Sequence, residues 1–214
     1  MSDKNISGSE VFPEFDDLYE LIQSEVLGLT NQQLDYISDK WDWSAWSIRN
    51  QLSHMASLIP RWLIIRWGDV IFPDGKHGFN HIDAITNSTS DRRLDDGTYW
   101  KISKIMATLE ASINLTKGAL NNLTLDFMNS RKIERDATPQ WLSMSRAHPN
   151  GITASGNPAS GTMTLEATFR HIYFEQITHL FNIQRLKRAQ GLKSVSVLPD
   201  VGYWTLDDWD RSEP

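Results

Sequence analysis

The sequence predicts an all-α protein, and a four-helix bundle is the simplest architecture that it supports. Four segments carry apolar residues at steps of three and four positions, the period of an amphipathic α-helix. No segment shows the sustained alternation of period two that is typical of a strand. Long connections join the four segments, and bundles of this kind build metal and ligand sites from side chains that project inward.

The length of the chain favours a single domain. Its 214 residues are 40% hydrophobic, which is enough for one sizeable core with long loops. We expect a helical core over about residues 12–191 and an aromatic C-terminal tail over residues 192–214.

The first predicted helix begins near Pro13, because proline is favoured in the first helical turn. Thr30 and Gln33 then predict a capping box that opens a short extra turn. The apolar face of the first helix contains Phe15, Leu18, Ile22, Val26 and Leu29.

The second predicted helix spans about residues 46–67 and is apolar on more than one side. Such a helix is expected to be central in the packing. Pro60 interrupts it and removes one backbone hydrogen bond, so we expect a kink a turn or two beyond His54.

The third predicted helix, about residues 102–123, has the cleanest periodicity in the chain and indicates structural core. The fourth has the best-marked ends. It opens at Thr164, a suitable N-cap with Glu166 close behind, and it ends at Gly191 after a basic last turn.

Two long connections, about residues 69–98 and 124–163, are rich in turn-forming residues. Loops this long are often functional, and we expect the second to shape the mouth of a substrate site. In the tail, Tyr203, Trp204 and Trp209 predict that this segment packs onto the body of the protein or onto a partner chain.

The composition narrows the classes of partner and chemistry. A net charge of −6 argues against nucleic acid or an anionic membrane surface as a partner, because both need a basic face. The absence of cysteine means that any bound metal must be held by imidazole and carboxylate. No signal-peptide-like stretch and no run of roughly 20 apolar residues is present, so we expect a cytoplasmic protein without a membrane span.

The segment HIYFEQITH in the fourth helix contains three potential metal ligands spaced four residues apart: His171, Glu175 and His179. The helical period places His179 inside the apolar face, Glu175 at its edge and His171 beyond that edge. His171 and His179 are also about 12 Å apart along the axis, too far to share one ion. Glu175 and His179 are therefore the favoured pair, with His171 as a flanking residue.

A buried carboxylate and imidazole need a partner, since burying them alone would cost several kcal/mol. A metal would satisfy them, and so would a hydrogen-bond network to other helices. Spacing alone does not distinguish the two. A third ligand must come from elsewhere, and His54 is the only histidine inside another strongly helical segment. Its alternative interpretation is a histidine satisfied by hydrogen bonds.

Other catalytic patterns are missing from the sequence. It contains no G-x-S-x-G elbow, P-loop, dinucleotide fingerprint or H-E-x-x-H motif. His148, in the second long connection, could reach a site mouth, although an exposed loop histidine is the simpler interpretation. Arg146 is a second candidate for contact with a substrate.

Two motifs resemble the DinB/YfiT-like superfamily. In WSIRNQLSHM, Trp46 precedes His54 by eight residues at the start of the second helix. The segment HIYFEQITHLFNIQRLKRAQG is similar to the last helix of that family, which carries an H-x-x-x-H pair and ends in glycine. The resemblance matches His54 and His179 to the first and third family ligands. It departs from the family at the middle position, where Glu175 replaces histidine.

The resemblance implies a four-helix bundle, frequently homodimeric, with a divalent metal held by His54, Glu175 and His179. Two imidazoles and one carboxylate suit Zn, Ni, Fe or Mn. Known family activities imply a thiol-dependent or other small-molecule transferase whose substrate could be a low-molecular-weight thiol. The alternatives are a non-catalytic metal-binding or stress-response bundle protein and a metal-free descendant in which Glu175 accepts hydrogen bonds from the two histidines.

Overall fold

The computed structural model describes residues 6–135 and 137–214; residues 1–5 and 136, which begin the chain and interrupt the second connection, lie outside the described residues. The protein is mostly helical, as predicted, with 57% of its residues in helices. The α-helices are α1 (Gly8–Val11), α2 (Leu18–Val26), α3 (Asn31–Leu34), α4 (Ile48–Pro60), α5 (Gly68–Ile71), α6 (Ile82–Thr86), α7 (Asp96–Tyr99), α8 (Ile102–Asn122), α9 (Leu125–Ser130), α10 (Gln140–Ala147) and α11 (Leu165–Ala189). The strands are β1 (Lys132–Arg135), β2 (Ser155–Gly156) and β3 (Ala159–Thr164).

Helix α4 is central in the packing, as its apolar character predicts. Twelve of its thirteen residues are buried. It packs against α8 on one side and α11 on the other, and α2 contacts both α8 and α11. The core between these helices includes Phe15, Ile22, Leu52, Ile59, Leu109, Ile113, Phe169, Ile177 and Leu180.

At Pro60, where the sequence predicts an interruption, the helix changes from an α-helix to a π-helix. The α-helix ends at Pro60, and residues Arg61–Arg66 continue as a π-helix. Pro60 has no N–H for the carbonyl of Ala56, one turn earlier. The Ser112 hydroxyl on α8 donates to that carbonyl instead, at 3.0 Å. π-helical segments are rare and often occur at functional sites, and this one borders the cavity described below.

The predicted ends of the fourth helix are confirmed. Thr164 caps the N-terminus of α11, where its hydroxyl accepts a hydrogen bond from the N–H of Ala167 at 3.0 Å. The helix ends at Ala189, and Gly191 follows with φ +72°, a left-handed conformation that favours glycine. The predicted capping box at Thr30 and Gln33 is also present, at the start of α3.

The second long connection is more structured than predicted. It contains α9, α10 and a small antiparallel sheet with strand order β1-β3-β2. The sequence does not predict the sheet, because β2 has only two residues and the segments of β1 and β3, KIER and ASGTMT, do not alternate between apolar and polar residues. Helix α10 is held beside β3 and lies over the site, so this connection does shape a cavity mouth.

The C-terminal tail packs back onto the body. The Trp204 ring stacks on Phe181 of α11, with ring centroids 4.6 Å apart. The buried guanidinium of Arg185 donates to the carbonyls of Asp210 and Ser212 at 2.9 and 3.1 Å. Tyr203 is buried and reaches the site. Among the described residues, no helix is both long and apolar enough to cross a membrane.

Candidate metal centre

Three predicted ligands, on two different helices, lie together. His54 on α4 and Glu175 and His179 on α11 each offer one ligand atom, and the three atoms lie within 4.8 Å of one another. Glu175 Oε2 is 4.0 Å from His54 Nε2 and 3.4 Å from His179 Nε2. The contact between α4 and α11 is therefore what assembles the cluster.

These separations fit a single ion. Zinc binds imidazole nitrogen and carboxylate oxygen at about 2.0–2.2 Å, so neighbouring ligand atoms on one ion are roughly 3–4 Å apart. Both distances to Glu175 Oε2 fall in that range. The three residues could therefore hold a divalent metal with little rearrangement.

Each imidazole is oriented by a hydrogen bond at its other nitrogen. His54 Nδ1 donates to the carbonyl oxygen of Arg92 at 3.0 Å. His179 Nδ1 donates to the Oε1 atom of the Gln51 side chain. In a neutral imidazole this arrangement leaves the lone pair on Nε2, the atom that faces Glu175. Metal-binding histidines usually have such a partner, which sets the tautomer and the ring orientation.

Electrostatics favour the protonation states that bind a metal. Burial, and then the charge of His179, lowers the pKa of His54 to about 3, so this imidazole is neutral at pH 7. Burial alone would raise the pKa of Glu175, but the contact with His179 and the neighbouring His171 and His54 outweigh it and lower the pKa to about 2. A neutral imidazole and an ionised carboxylate are the forms that coordinate metals.

A turn with unusual backbone angles orients the carbonyl of Arg92 toward His54. Asp91 and Arg92 have φ angles of 40° and 61°, in the left-handed region that residues other than glycine seldom adopt. The carbonyl accepts hydrogen bonds from His54 and also from the Ser57 hydroxyl at 2.5 Å. These two bonds to α4 hold the turn in place. The sequence contains no pattern that predicts this contribution from the first long connection.

Trp46 covers the two imidazoles. Its ring centroid lies 5.3 Å from His54 and 6.2 Å from His179, nearly parallel to the latter ring. Trp46 of the WSIRNQLSHM motif therefore lies at the site as well as packing at the start of the helix. Gln51 lies one turn before His54, and this spacing could have indicated it as a neighbour of the site.

His171 lies beside the cluster, but it is not on an open face as the helical wheel predicts. It is only 4% exposed, because Tyr203 from the tail covers it. The Tyr203 hydroxyl lies 2.6 Å from His171 Nδ1, and that nitrogen is 4.0 Å from Glu175 Oε1. His171 thus flanks Glu175 from the side opposite His179.

His148 and Arg146, the two candidates for substrate contact, do not lie at the cluster. The interpretation of His148 as an exposed loop residue is wrong: it is the C-cap that follows α10, is 3% exposed and places Nε2 3.1 Å from the Tyr203 hydroxyl. Arg146 points to the surface, where its guanidinium pairs with Asp208 at 2.8 Å. Neither side chain lines a cavity that is bordered by the candidate ligands.

Two cavities meet at the cluster, and both are bordered by His54, Arg92 and Glu175. We call the first, of about 270 Å³, the basic cavity, because Arg61 and Arg66 join Arg92 in its wall. We call the second, of about 230 Å³, the aromatic cavity. Its wall includes Trp46, Tyr203 and Trp209 together with Met144 and His179.

Comparisons with models of known protein families, with curated protein sequences and with solved structures found no match for this chain. The interpretation of the site therefore depends on its own geometry and on the two motifs.

The hydrogen bond between His179 and Gln51 can be tested by substitution. Replacing Gln51 with methionine removes the acceptor for His179 Nδ1 while keeping a similar side-chain volume. We expect the affinity for a divalent metal to fall about 10–100-fold, the usual effect of losing such a partner. Competition with a chromogenic chelator measures it. Gln23→Met, on the exposed part of α2, is the control and should bind metal as the wild type does.

Proposed function

We propose that the chain is a divalent-metal-dependent enzyme of the DinB/YfiT-like superfamily, a thiol-dependent or other small-molecule transferase. One observation carries this proposal: the Nε2 atoms of His54 and His179 converge on the Glu175 carboxylate while both Nδ1 atoms are already engaged. Zn, Ni, Fe and Mn all accept two imidazoles and a carboxylate.

The packing supports the corresponding fold, a four-helix bundle. Helices α2, α4, α8 and α11 contact one another around one core and follow the order that the resemblance implies. The ligands lie on the second and fourth of these helices, where the motifs place them. The site departs from the family pattern at Glu175, which adds a negative charge that an all-histidine site lacks.

The metal-free alternative fits the hydrogen bonds less well. In that alternative, Glu175 accepts a hydrogen bond from each imidazole, so each Nε2 must carry a proton. Because Nδ1 of each ring already donates, both rings would have to be imidazolium ions. Burial of His54 lowers its pKa to about 3 and opposes that state. A bound cation resolves the conflict, since it accepts both lone pairs.

The number of ligands favours an enzyme over a storage protein. Within residues 6–135 and 137–214, the cluster consists of three protein ligands. Closed structural sites usually have four, whereas catalytic sites keep a position for water or substrate. The two cavities reach the cluster from different sides and offer room for two reactants.

A metal at this site would lower the pKa of a bound thiol or water towards neutrality and so supply a nucleophile. The chain's own residues bind and orient the reactants. Trp46, Tyr203 and Trp209 offer apolar and aromatic surface for one reactant in the aromatic cavity. Helix α10 contributes Gln140 and Met144 to the walls of both cavities.

The proposal is tested by thiol transfer. The untagged chain, loaded in turn with Zn, Ni, Fe or Mn, is assayed with a cysteine-based thiol and a small electrophile such as a monohaloalkane. We expect metal-dependent loss of free thiol that disappears in His54→Ala. Metal-independent rates, or equal rates for the variant, would refute the proposed activity. A homodimer is part of the same proposal and is checked by sedimentation equilibrium.

A further inference from the structure

The basic cavity brings three guanidinium groups together beside the candidate metal centre. Arg61 and Arg66 come from the two ends of the π-helix that follows Pro60, and Arg92 comes from the left-handed turn. A π-helical segment, of a kind frequent at functional sites, therefore supplies two of the three guanidinium groups. One carboxylate, that of Glu175, lies in the same wall.

Arg61 has unused hydrogen-bond donors. Its Nε and Nη2 atoms are buried and have no hydrogen-bond partner in the described part of the chain. Burial, followed by repulsion from Arg92, lowers the pKa of Arg61. Leaving such donors without acceptors is unfavourable, and native proteins rarely do so without a reason. The same cavity gives Arg61 room to meet an acceptor from outside the chain.

The other two arginines are held in position by aromatic rings. The guanidinium of Arg66 lies 4.0 Å from the ring centroid of Trp62, and that of Arg92 lies 5.3 Å from Trp46. Arg92 also pairs with its neighbour Asp91, with Nε 3.4 Å from Oδ1. Stacking on a ring leaves the N–H edge of a guanidinium available, and it preorganises the group for recognition.

The balance of charge in the cavity favours an anion. Three cations face one carboxylate, and a divalent metal bound to Glu175 would make the cavity more positive. A guanidinium binds carboxylate and phosphate through two parallel N–H groups, which gives strength and orientation. The overall charge of the chain is −6, so the positive balance of this cavity is opposite in sign to that of the chain as a whole.

We propose that the basic cavity binds an oxyanion, a carboxylate or phosphate group of the substrate, through Arg61 with Arg66 and Arg92. Anion binding here rests on the proposed function, because the anchored group belongs to the reactant that binds at the metal centre. The substrate class is thus an anionic small molecule. The rest of the reactant extends toward Glu175 or into the aromatic cavity, which the basic cavity meets at His54.

Anion binding is measured by isothermal titration calorimetry on the full, untagged chain. Succinate and inorganic phosphate are titrated separately, which distinguishes carboxylate from phosphate as the preferred group. Each titration is run on metal-free protein and on protein loaded with Zn. We expect saturable binding of at least one anion to metal-free wild type and at least about a tenfold loss of affinity in Arg61→Met. Arg61→Lys should recover part of that loss.

The control is Arg131→Met, whose guanidinium lies over Phe127, away from the cavity. It should bind the anions as the wild type does. If Arg61→Met does not fold by circular dichroism, Arg66→Met takes its place with the same expected loss. No saturable binding of either anion, or equal affinities in the cavity variant and the control, would overturn the inference. Zn loading is scored separately, so failure of the metal site is distinguishable from failure of the anion site.

Discussion

His54→Ala and Glu175→Gln are each expected to lower the affinity for a divalent metal by at least about a hundredfold. A structural zinc site contributes about 10–16 kcal/mol from four ligands, so one ligand is worth several kcal/mol. His54→Ala removes the ligand that α4 supplies. Glu175→Gln keeps the shape of the side chain but removes the negative charge and the stronger oxygen donor. Titration against a chelator of known affinity gives both values.

His77→Ala is the matched control for these variants, because His77 lies in the first long connection, away from the cluster. It should bind metal with unchanged affinity. His171→Ala should weaken binding less than His54→Ala, because His171 contacts Glu175 without belonging to the three ligands. Wild-type affinity in both His54→Ala and Glu175→Gln would show that any bound metal lies elsewhere.

Glu25→Gln is expected to lower the free energy of unfolding by about 3–5 kcal/mol, the usual cost of breaking a buried ion pair. Glu25 and Lys187 are 1% and 3% exposed, and Glu25 Oε2 lies 2.5 Å from Lys187 Nζ. The other carboxylate oxygen accepts from the backbone N–H groups of Val195 and Ser196, both at 2.7 Å. The substitution leaves the lysine buried without a counterion and loosens the start of the tail. Urea denaturation at pH 7 measures the loss.

The pH dependence of stability provides an independent check on this pair. Burial alone would raise the pKa of Glu25, but the bonds from Lys187, Ser196 and Gln184 lower it to about 2 from an ordinary 4.5. The ionised form is therefore stabilised in the folded state, by roughly 3 kcal/mol. This contribution is complete above pH 4.5 and is lost as the pH falls towards 2. The stability difference between wild type and Glu25→Gln should shrink over the same interval.

Glu20→Gln on the exposed side of α2 controls for a general effect of removing a carboxylate. Its stability should stay within about 0.5 kcal/mol of the wild type, as for most surface substitutions. A Glu25→Gln variant that unfolds at the wild-type urea concentration at pH 7 would show that the pair does not stabilise the fold.

Much of the helical framework follows from the sequence, because its determinants are local. Thr164 and Gly191 mark the ends of α11 through capping chemistry, and Pro60 marks the end of α4 through its missing N–H. The pair Glu175 and His179 is also local, since residues four apart share a helix face. That His54 would meet this pair depends on packing between helices, and the sequence could only indicate it as a candidate.

The parts that were not predicted depend on contacts between distant segments. The Arg92 carbonyl reaches His54 from a turn 38 residues away, and Tyr203 reaches His171 across 32 residues. His148 is buried because the tail covers it, which its own neighbours in the sequence do not indicate. The short strands β1 to β3 form because β3 pairs with strands on both sides, a stabilisation absent from any single strand.

Metal content tests most directly whether His54, Glu175 and His179 hold one divalent ion. The chain is expressed without an affinity tag, purified without chelators and analysed by inductively coupled plasma mass spectrometry alongside its His54→Ala and His179→Ala variants. We expect close to one equivalent of Zn, Ni, Fe or Mn per chain in the wild type and loss of that metal in both variants. A wild type that contains no metal, and takes up none when dialysed against these ions, would contradict this expectation.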